Sequence, residues 1–217
     1  MGIEFLDPRN AADVDGVATL YEEHLGDSPV VLLGPRFLRE FYFSRLVKDE
    51  LMDALVCRVD GKVVAFLSWT SRPEDFIGTG IRRHFVALSW IMLKSVVARP
   101  SSLKGIVSAV RIVTKRSGDQ PSSHDNAGAI EALSLVVPPK FSKLVLPGGT
   151  SRLTVRLVQA LGDHARKQGV TKVLYVVQPR NMASSIFFSG MGCEMVKRSY
   201  AGEQVYVYTH DLTEAAG

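Results

Sequence analysis

The chain has 217 residues, 46% of them hydrophobic and 22% charged, an ordinary balance for a globular protein. This length suits one domain with a sizeable core over residues 1–217. Its two cysteines, Cys57 and Cys193, form neither a disulfide framework nor a metal-ligand spacing, so we expect no metal site. The longest apolar stretch, 85–98, is shorter than the roughly 20 residues of a membrane span. Residues 1–8 lack the pattern of a signal peptide, which predicts a cytoplasmic protein.

The net charge of +4 is unevenly distributed. Residues 76–118 contain no Asp or Glu but eight Lys and Arg. Subtracting these eight from 26 leaves 18 basic against 22 acidic residues in the rest of the chain, a net charge of −4. We call residues 77–127 the basic insert. Within it we predict one helix at 82–98, a second helix after Pro100, and a mobile Ser/Gly/Asp-rich loop at 116–126.

Apolar periodicity and turn signals predict strands and helices along the rest of the chain. Before the basic insert the predicted elements are a strand at 3–6, helices at 14–25 and 34–46, and strands at 54–59 and 63–69. Asp60-Gly61 separates the last two strands and is a strong hairpin signal. After the insert the predicted elements are a strand at 130–137, a helix at 151–168, a strand at 171–178, a helix from 181, and strands at 193–198 and 205–210.

One segment carries a specific spacing. Asn181 follows the apolar run 173–178, the aromatic Phe188 comes seven residues later, and Gly192 four residues after that. This segment resembles the strand–Asn–helix–Gly segment of the GNAT acyltransferase superfamily. The order of elements also matches that fold, apart from the basic insert. The resemblance implies an α+β fold with a central mixed, mostly antiparallel twisted sheet, flanked by helices and carrying a helical insert after the third strand.

The resemblance further implies an acyl-CoA-dependent N-acyltransferase, with acetyl-CoA as the expected co-substrate. Transfer would be direct in a ternary complex, since the sequence shows no activated nucleophile pair. The helix from Asn181 would wall the pantetheine arm, and backbone N–H groups of the central strand would line the arm and polarise the thioester carbonyl. Those strand residues are Leu135, Val136 and Val137. A purely structural interpretation, a buried strand and an Asn that only caps its helix, is the alternative.

The pyrophosphate of the carrier would lie at the N-terminus of the 151–168 helix. The family's Arg/Gln-x-x-Gly-x-Gly/Ala loop is not in register here. The residues available instead are Gly148, Gly149, Thr150, Ser151 and Arg152. The glycines would allow close backbone approach, the hydroxyls would cap the helix or bind phosphate, and Arg152 would pair with the phosphate. The alternative is a Gly-rich turn that enters a capped helix.

Glu131 lies where many family members carry a carboxylate base, acting directly or through water. It is the candidate catalytic residue, and a solvated residue at the start of a strand is the alternative. His84 and His24 are alternative bases. Phe188 stands where the family usually has a Tyr that protonates the departing thiolate, and a phenyl ring cannot donate a proton.

Ser184 and Ser185, one turn earlier on the same helix, are weak substitutes for that donor. A thiolate with a solution pKa of about 8.5 can also leave without an acid, at some cost in rate. Two alternatives to an active acyl-CoA enzyme stay open. One is a regulatory module that binds acyl-CoA with weakened catalysis, and the other is an acyltransferase fed by acyl carrier protein.

The basic insert provides the candidate residues for binding the acceptor amine. Together with residues 32–42 it resembles a GNAT subgroup associated with polysaccharide and sugar modification. Arg82, Arg83 and His84 are therefore candidate substrate-binding residues for a small anionic or sugar-like amine. The insert would alternatively contact an anionic membrane through Phe85, Leu88 and Trp90, or form a basic surface over a core helix pair. We expect no nucleic-acid partner, because no reading motif is present, and a homodimer stays open.

Overall fold

The computed structural model describes residues 2–98, 128–147, 151–200 and 203–213. Seven strands within these ranges form one sheet in the order β1-β2-β3-β4-β5-β7-β6. The strands are β1 Gly2–Phe5, β2 Asp53–Val59, β3 Lys62–Thr70, β4 Ala129–Val136, β5 Lys172–Val177, β6 Glu194–Tyr200 and β7 Glu203–Asp211. Among these seven described strands, only β4 and β5 pair in parallel, and every other neighbouring pair is antiparallel. The predicted mixed, mostly antiparallel sheet is confirmed.

Six α-helices flank the sheet in the described ranges. They are α1 Ala11–His24, α2 Arg45–Lys48, α3 Phe76–Arg83, α4 Phe85–Ala98, α5 Leu153–Lys167 and α6 Met182–Gly190. Helices α3 and α4 follow the third strand, where a helical insert was predicted, but the first predicted helix began at residue 82 and α3 was not predicted. The predicted second insert helix and its loop, 99–127, lie outside the described residues, and so do Gly148, Gly149 and Thr150. No helix within the described ranges is long and apolar enough to cross a membrane.

The two faces of the sheet carry separate hydrophobic clusters, because successive side chains of a strand point to opposite faces. The first cluster packs α1, Phe37–Tyr42, α2 and parts of α3 and α4 against Ala54, Val56 and Phe66. The second cluster packs α5 and α6 against Leu55, Leu67 and Val173. We call these the α1 face and the α5/α6 face. A site between β4 and β5 therefore has different helices on its two sides, those of the α1 face on one and α5 and α6 on the other.

Two predicted helices differ in continuity from the structure. The predicted helix at 34–46 is replaced by a 3₁₀ turn at Val31–Leu33, a π-helical segment at Phe37–Tyr42 and the short α2. The predicted helix at 82–98 is interrupted at His84, which leaves helical geometry with φ −119° and ψ 26°. The His84 side chain bonds Asp49, 35 residues away in sequence, and this tertiary contact fixes the break.

Candidate active site

The parallel strands β4 and β5 separate part-way along their length. They pair over four residue pairs, from Ala129–Lys172 to Ala132–Tyr175. On its other edge β4 stays paired with β3 as far as Phe66–Val136. Trp69 faces Ala132 and Ser68 faces Ser134, so Leu133 is an extra residue, a β-bulge, which bends the strand. The bulge lies directly after the last β4–β5 pair, and a gap opens there beside β4 backbone groups that can bond a ligand.

Glu131 lies one residue before the last β4–β5 pair. Its cross-strand neighbours are Thr70 on β3 and Leu174 on β5. Ile130 and Ala132 belong to the cluster on the α5/α6 face, so the half-buried Glu131 side chain projects from the α1 face. The carboxylate is therefore positioned at the start of the gap, on the side opposite α6.

Helix α6 lies on the other side of the gap and begins at a capped end. The Asn181 Oδ1 accepts a hydrogen bond from the Ser184 N–H at 3.1 Å, so the predicted cap is present. The Asn181 N–H donates to the Gln178 carbonyl at 2.8 Å, which fixes the turn between β5 and α6. With Oδ1 used in the cap, the amide NH₂ of Asn181 is the end of the side chain suited to bonding a ligand carbonyl.

Phe188 is buried in an aromatic cluster under α6. Its ring stacks on Tyr175 with centroids 4.2 Å apart and an interplanar angle of 24°. It also contacts Phe187 edge-on at 5.1 Å and Tyr208 at 5.8 Å. Such rings exclude water and keep their neighbourhood at low polarity. The position that carries Tyr in the resembled family is therefore filled here by a packed phenyl ring.

Two hydroxyl groups beside Phe188 are buried without a hydrogen-bond partner among the described residues. They are the Tyr175 OH and the Ser185 Oγ. Burial raises the pKa of Tyr175 well above its usual range, and the neighbouring Cys193 adds to the effect. Burial also raises the pKa of the Cys193 thiol to about 11, so this cysteine is a neutral thiol near neutral pH and a poor nucleophile.

The N-terminus of α5 is the expected phosphate site. Arg152 immediately precedes the helix, is exposed, and forms an isolated bridge with Val145. The Leu153 N–H donates to the Leu144 carbonyl at 2.8 Å, which anchors the start of the helix. The half-buried Ser151 comes one residue earlier. No acidic residue lies in the first turn of α5, so the positive end of its dipole is free of a neutralising side chain from that turn.

The three candidate acceptor residues lie at the junction of α3 and α4. Arg82 is 73% exposed and pairs with Asp75 at 2.6 Å. Arg83 is 50% exposed, with Nη1 3.8 Å from an Asp49 oxygen. His84 Nε2 lies 2.7 Å from the same Asp49 oxygen. His84 is thus held by a contact with a residue distant in sequence, while both arginine side chains are half or more exposed to solvent.

No protein-family model and no curated protein matches the chain. Solved structures do match it. The PaiA N-acetyltransferase from Thermoplasma acidophilum, solved with coenzyme A, aligns with a TM-score of 0.52. The ribosomal-protein-alanine N-acetyltransferase from Brucella melitensis gives 0.55 and a GNAT-family protein from Desulfovibrio desulfuricans 0.53. Each alignment has 11% identity and covers 97% of this chain and 99% of the other.

The chain has the GNAT fold. At 11% identity the likeness concerns the fold, which is the one that the 181–192 segment and the order of elements predicted. Within the GNAT fold the described structure brings Glu131, Leu135 and Val136 together on one strand beside the gap, and Asn181 and Phe188 on the helix across from it.

Other predicted residues are set apart from this arrangement. Arg82 and Arg83 are exposed in the last turn of α3, and His24 is exposed in the last turn of α1, so none of the three is on an element that borders the gap. The sequence analysis missed Tyr175. Its only signal is a phenol within the aliphatic run of β5, where a buried hydroxyl ordinarily finds a partner. Within the described ranges no group of three His, Cys, Asp or Glu side chains forms a metal-binding cluster.

Proposed function

We propose that the protein is an N-acyltransferase that moves an acyl group, most simply acetyl, from coenzyme A to a small amine. The observation that supports this most strongly is the separation of β4 and β5 after the Ala132–Tyr175 pair, opposite the Asn181-capped helix α6. In a sheet, strands that part leave backbone donors and acceptors available for an extended ligand arm. A pantetheine arm, with its two amides, is such a ligand.

The carrier would be held from three directions. The N–H groups of β4 near Leu135, Val136 and Val137 would bond the pantetheine and polarise the thioester carbonyl. The N-terminus of α5, with Ser151 and Arg152 and the preceding residues 148–150, would receive the pyrophosphate. Helix α6, with Asn181 and Phe188, would wall the arm. The PaiA enzyme, which has the same fold, was solved with coenzyme A, and this supports the choice of carrier.

The reaction would be a direct transfer in a ternary complex. The amine nitrogen attacks the thioester carbon, and Glu131 takes the amine proton directly or through a water. Donor N–H groups of β4 stabilise the oxyanion, the carbon–sulfur bond breaks, and its electron pair leaves with sulfur as the thiolate. Glu131 projects from the α1 face and the carrier wall lies on the α5/α6 face, so the two substrates would enter from opposite sides of the gap.

The acceptor would be an anionic or sugar-like amine. Arg82 and Arg83 are half or more exposed despite their carboxylate partners, so an anionic group can compete for them.

A membrane contact would use a separate surface. On α4, four apolar side chains are more than half exposed: Phe85, Val86, Trp90 and Leu93. We call these four the α4 patch. Residues 76–98 contain no Asp or Glu, which favours an anionic membrane as the partner of the α4 patch, where a lipid-linked sugar amine would be met.

Calorimetry with acetyl-CoA tests the proposed function. We expect saturable binding in the micromolar to millimolar range, and release of coenzyme A thiol when small amines are added. No binding at millimolar acetyl-CoA would overturn the proposal and favour a donor carried by acyl carrier protein. Binding without turnover across anionic, sugar and polyamine acceptors would favour a regulatory module, the alternative that Phe188 supports.

A further inference from the structure

Two buried hydroxyls border the place where the carrier's sulfur would lie under the proposed function. Tyr175 is 3% exposed and Ser185 9% exposed, and neither oxygen has a hydrogen-bond partner within the described structure. A buried hydroxyl without a partner costs about 1–3 kcal/mol. Native proteins satisfy nearly all such groups, so each exception calls for an explanation. An absent ligand that accepts these hydrogen bonds is one.

Tyr175 is the better placed of the two. It belongs to the last pair that joins β4 to β5, so its backbone lies at the point where the gap begins. Its ring lies on the α5/α6 face, together with Ala132 and Leu135 of β4. The same ring stacks on Phe188 at 4.2 Å. Tyr175 is therefore a phenol on β5, the strand that borders the gap, and it lies directly beside Phe188, whose ring lacks a hydroxyl.

We propose that Tyr175 supplies, from β5, the hydrogen bond to the leaving sulfur that Phe188 is unable to supply from α6. As the carbon–sulfur bond breaks, the electron pair moves to sulfur and the Tyr175 O–H donates to the developing thiolate. The proton stays on the phenol, and the free thiolate is protonated by solvent after release. The amine proton goes to Glu131. The inference rests on the proposed function and adds a catalytic residue to it.

The surroundings suit a neutral donor. Burial keeps the pKa of Tyr175 far above neutral, so the phenol carries its proton at every pH of an ordinary assay. The packed rings of Phe188 and Tyr208 exclude water, and a hydrogen bond to a charged sulfur is stronger in such surroundings. Cys193, a titratable neighbour, is held as a neutral thiol and does not compete for the proton.

The first test needs no acceptor. Coenzyme A is bound to the protein, and the pKa of its thiol is read from thiolate ultraviolet absorbance as the pH is raised. A hydrogen bond to a charged group predicts that Tyr175→Phe raises the bound thiol pKa by about one unit relative to wild type. Tyr208→Phe is the matched control, because Tyr208 pairs with Tyr175 on the neighbouring strand and also contacts Phe188, and it should leave the thiol pKa unchanged.

Folding is monitored in the same variants. Removing a buried hydroxyl that has no partner in the described structure should leave the unfolding midpoint of the free protein unchanged or higher. A lower midpoint in Tyr175→Phe would show that the hydroxyl has a structural partner, which overturns the inference. A shift in the thiol pKa caused by Ser185→Ala and not by Tyr175→Phe would assign the donor to Ser185 and also overturn it.

Relocating the hydroxyl gives a second test. Tyr175→Phe should lower kcat about tenfold or more with little change in KM for acetyl-CoA, since the hydrogen bond forms mainly as charge develops. The double variant Tyr175→Phe with Phe188→Tyr returns a phenol to the same stack and should recover most of kcat. An unchanged kcat in Tyr175→Phe, with wild type active, overturns this inference alone. A wild type that binds no coenzyme A overturns the proposed function and this inference together.

Discussion

Tyr175 and Phe188 lie face to face beside the gap between β4 and β5, with ring centroids 4.2 Å apart and planes inclined by 24°. One ring comes from a strand and the other from the helix that covers it, so the stack fixes the distance between α6 and the sheet. Tyr208 and Phe187 complete the cluster from the side. Phe188 is thus a packing residue in this chain, and the phenol of the stack belongs to the strand.

The first prediction concerns Glu131. Under the proposed function its carboxylate removes the amine proton, so Glu131→Gln should lower kcat by about 10²–10⁴-fold. Acetyl-CoA binding should change little, because the carrier would lie on the opposite face of the sheet. Calorimetry and release of coenzyme A thiol measure the two effects separately.

Glu194→Gln is the matched control for this variant. Glu194 is exposed at the start of β6, on the far edge of the sheet, and its replacement should alter neither binding nor turnover. Equal turnover in wild type and Glu131→Gln would assign the base to another residue, and His84 would be the next to replace.

The second prediction separates the two roles of Asn181. Asn181→Ala removes the 3.1 Å cap to the Ser184 N–H and should destabilise the protein by about 1 kcal/mol. Asn181→Asp keeps an oxygen acceptor for the cap and places a negative charge at the positive end of α6, so its stability should match wild type. Both variants lose the amide NH₂ and should bind acetyl-CoA about 5- to 10-fold more weakly.

Thermal unfolding and calorimetry on the same samples check this prediction. Wild-type affinity in Asn181→Asp would show that the side chain caps the helix and nothing more. Restored stability without restored affinity is the expected combination.

The helices and turns whose signals are local in the sequence could be predicted from it. The Asn181 cap, the aromatic spacing to Phe188 and the periodicity of α5 each depend on residues within a few turns of one another. The hairpin at Asp60-Gly61 was equally readable, since both residues have positive φ, as the tightest hairpin turns require.

The features that could not be predicted depend on distant residues. The break at His84 is made by Asp49 on another element. The bulge at Leu133 appears only when β3 and β4 are paired, because nothing around Leu133 marks it in the sequence. Tyr175 was not singled out for the same reason: an apolar run predicts a buried strand and gives no sign that a hydroxyl within it is without a partner in the described part of the chain.

The third prediction concerns the α4 patch. Val86, Trp90 and Leu93 recur at i, i+4 and i+7, so they share one side of the helix, while Ile91 on the other side packs in the core. Lys94 lies 5.0 Å from the Trp90 ring and adds positive charge beside the patch. We expect the protein to sediment with phosphatidylserine-containing vesicles at low salt and to bind less at high salt.

The double variant Trp90→Ser with Leu93→Ser should weaken vesicle binding roughly tenfold or more, since both side chains lose apolar area that the membrane would bury. Val196→Ser is the control, because Val196 is 44% exposed on β6, away from α4. Failure of the wild type to sediment at low salt ends the membrane proposal. Concentration-dependent dimerisation lost in the same double variant would instead assign the patch to contact between two copies of the chain.

The fourth prediction is a pH dependence of stability caused by Asp53. This residue begins β2 opposite the buried Trp69. Burial, with a smaller contribution from Glu50, raises the pKa of Asp53 from 3.8 to about 6. The folded state therefore holds a proton that the unfolded chain releases between pH 3.8 and 6, and stability falls as the pH rises through this window. Above about pH 6 the full penalty of a buried carboxylate is present.

Asp53→Asn removes that penalty and should stabilise the protein at about pH 8. A shift of this size corresponds to about 3 kcal/mol for a fully buried group, and solvent screening reduces it here to on the order of 1–2 kcal/mol. Below about pH 3 the two proteins should have nearly equal stability, because the carboxyl is then mostly neutral in both states. Urea unfolding at the two pH values measures the difference.

Asp163→Asn is the control for this variant. It is a change at an exposed position on α5 and should shift stability by less than about 0.5 kcal/mol at either pH. A gain in Asp53→Asn that is equal at both pH values would mean that the effect comes from packing and not from the charge.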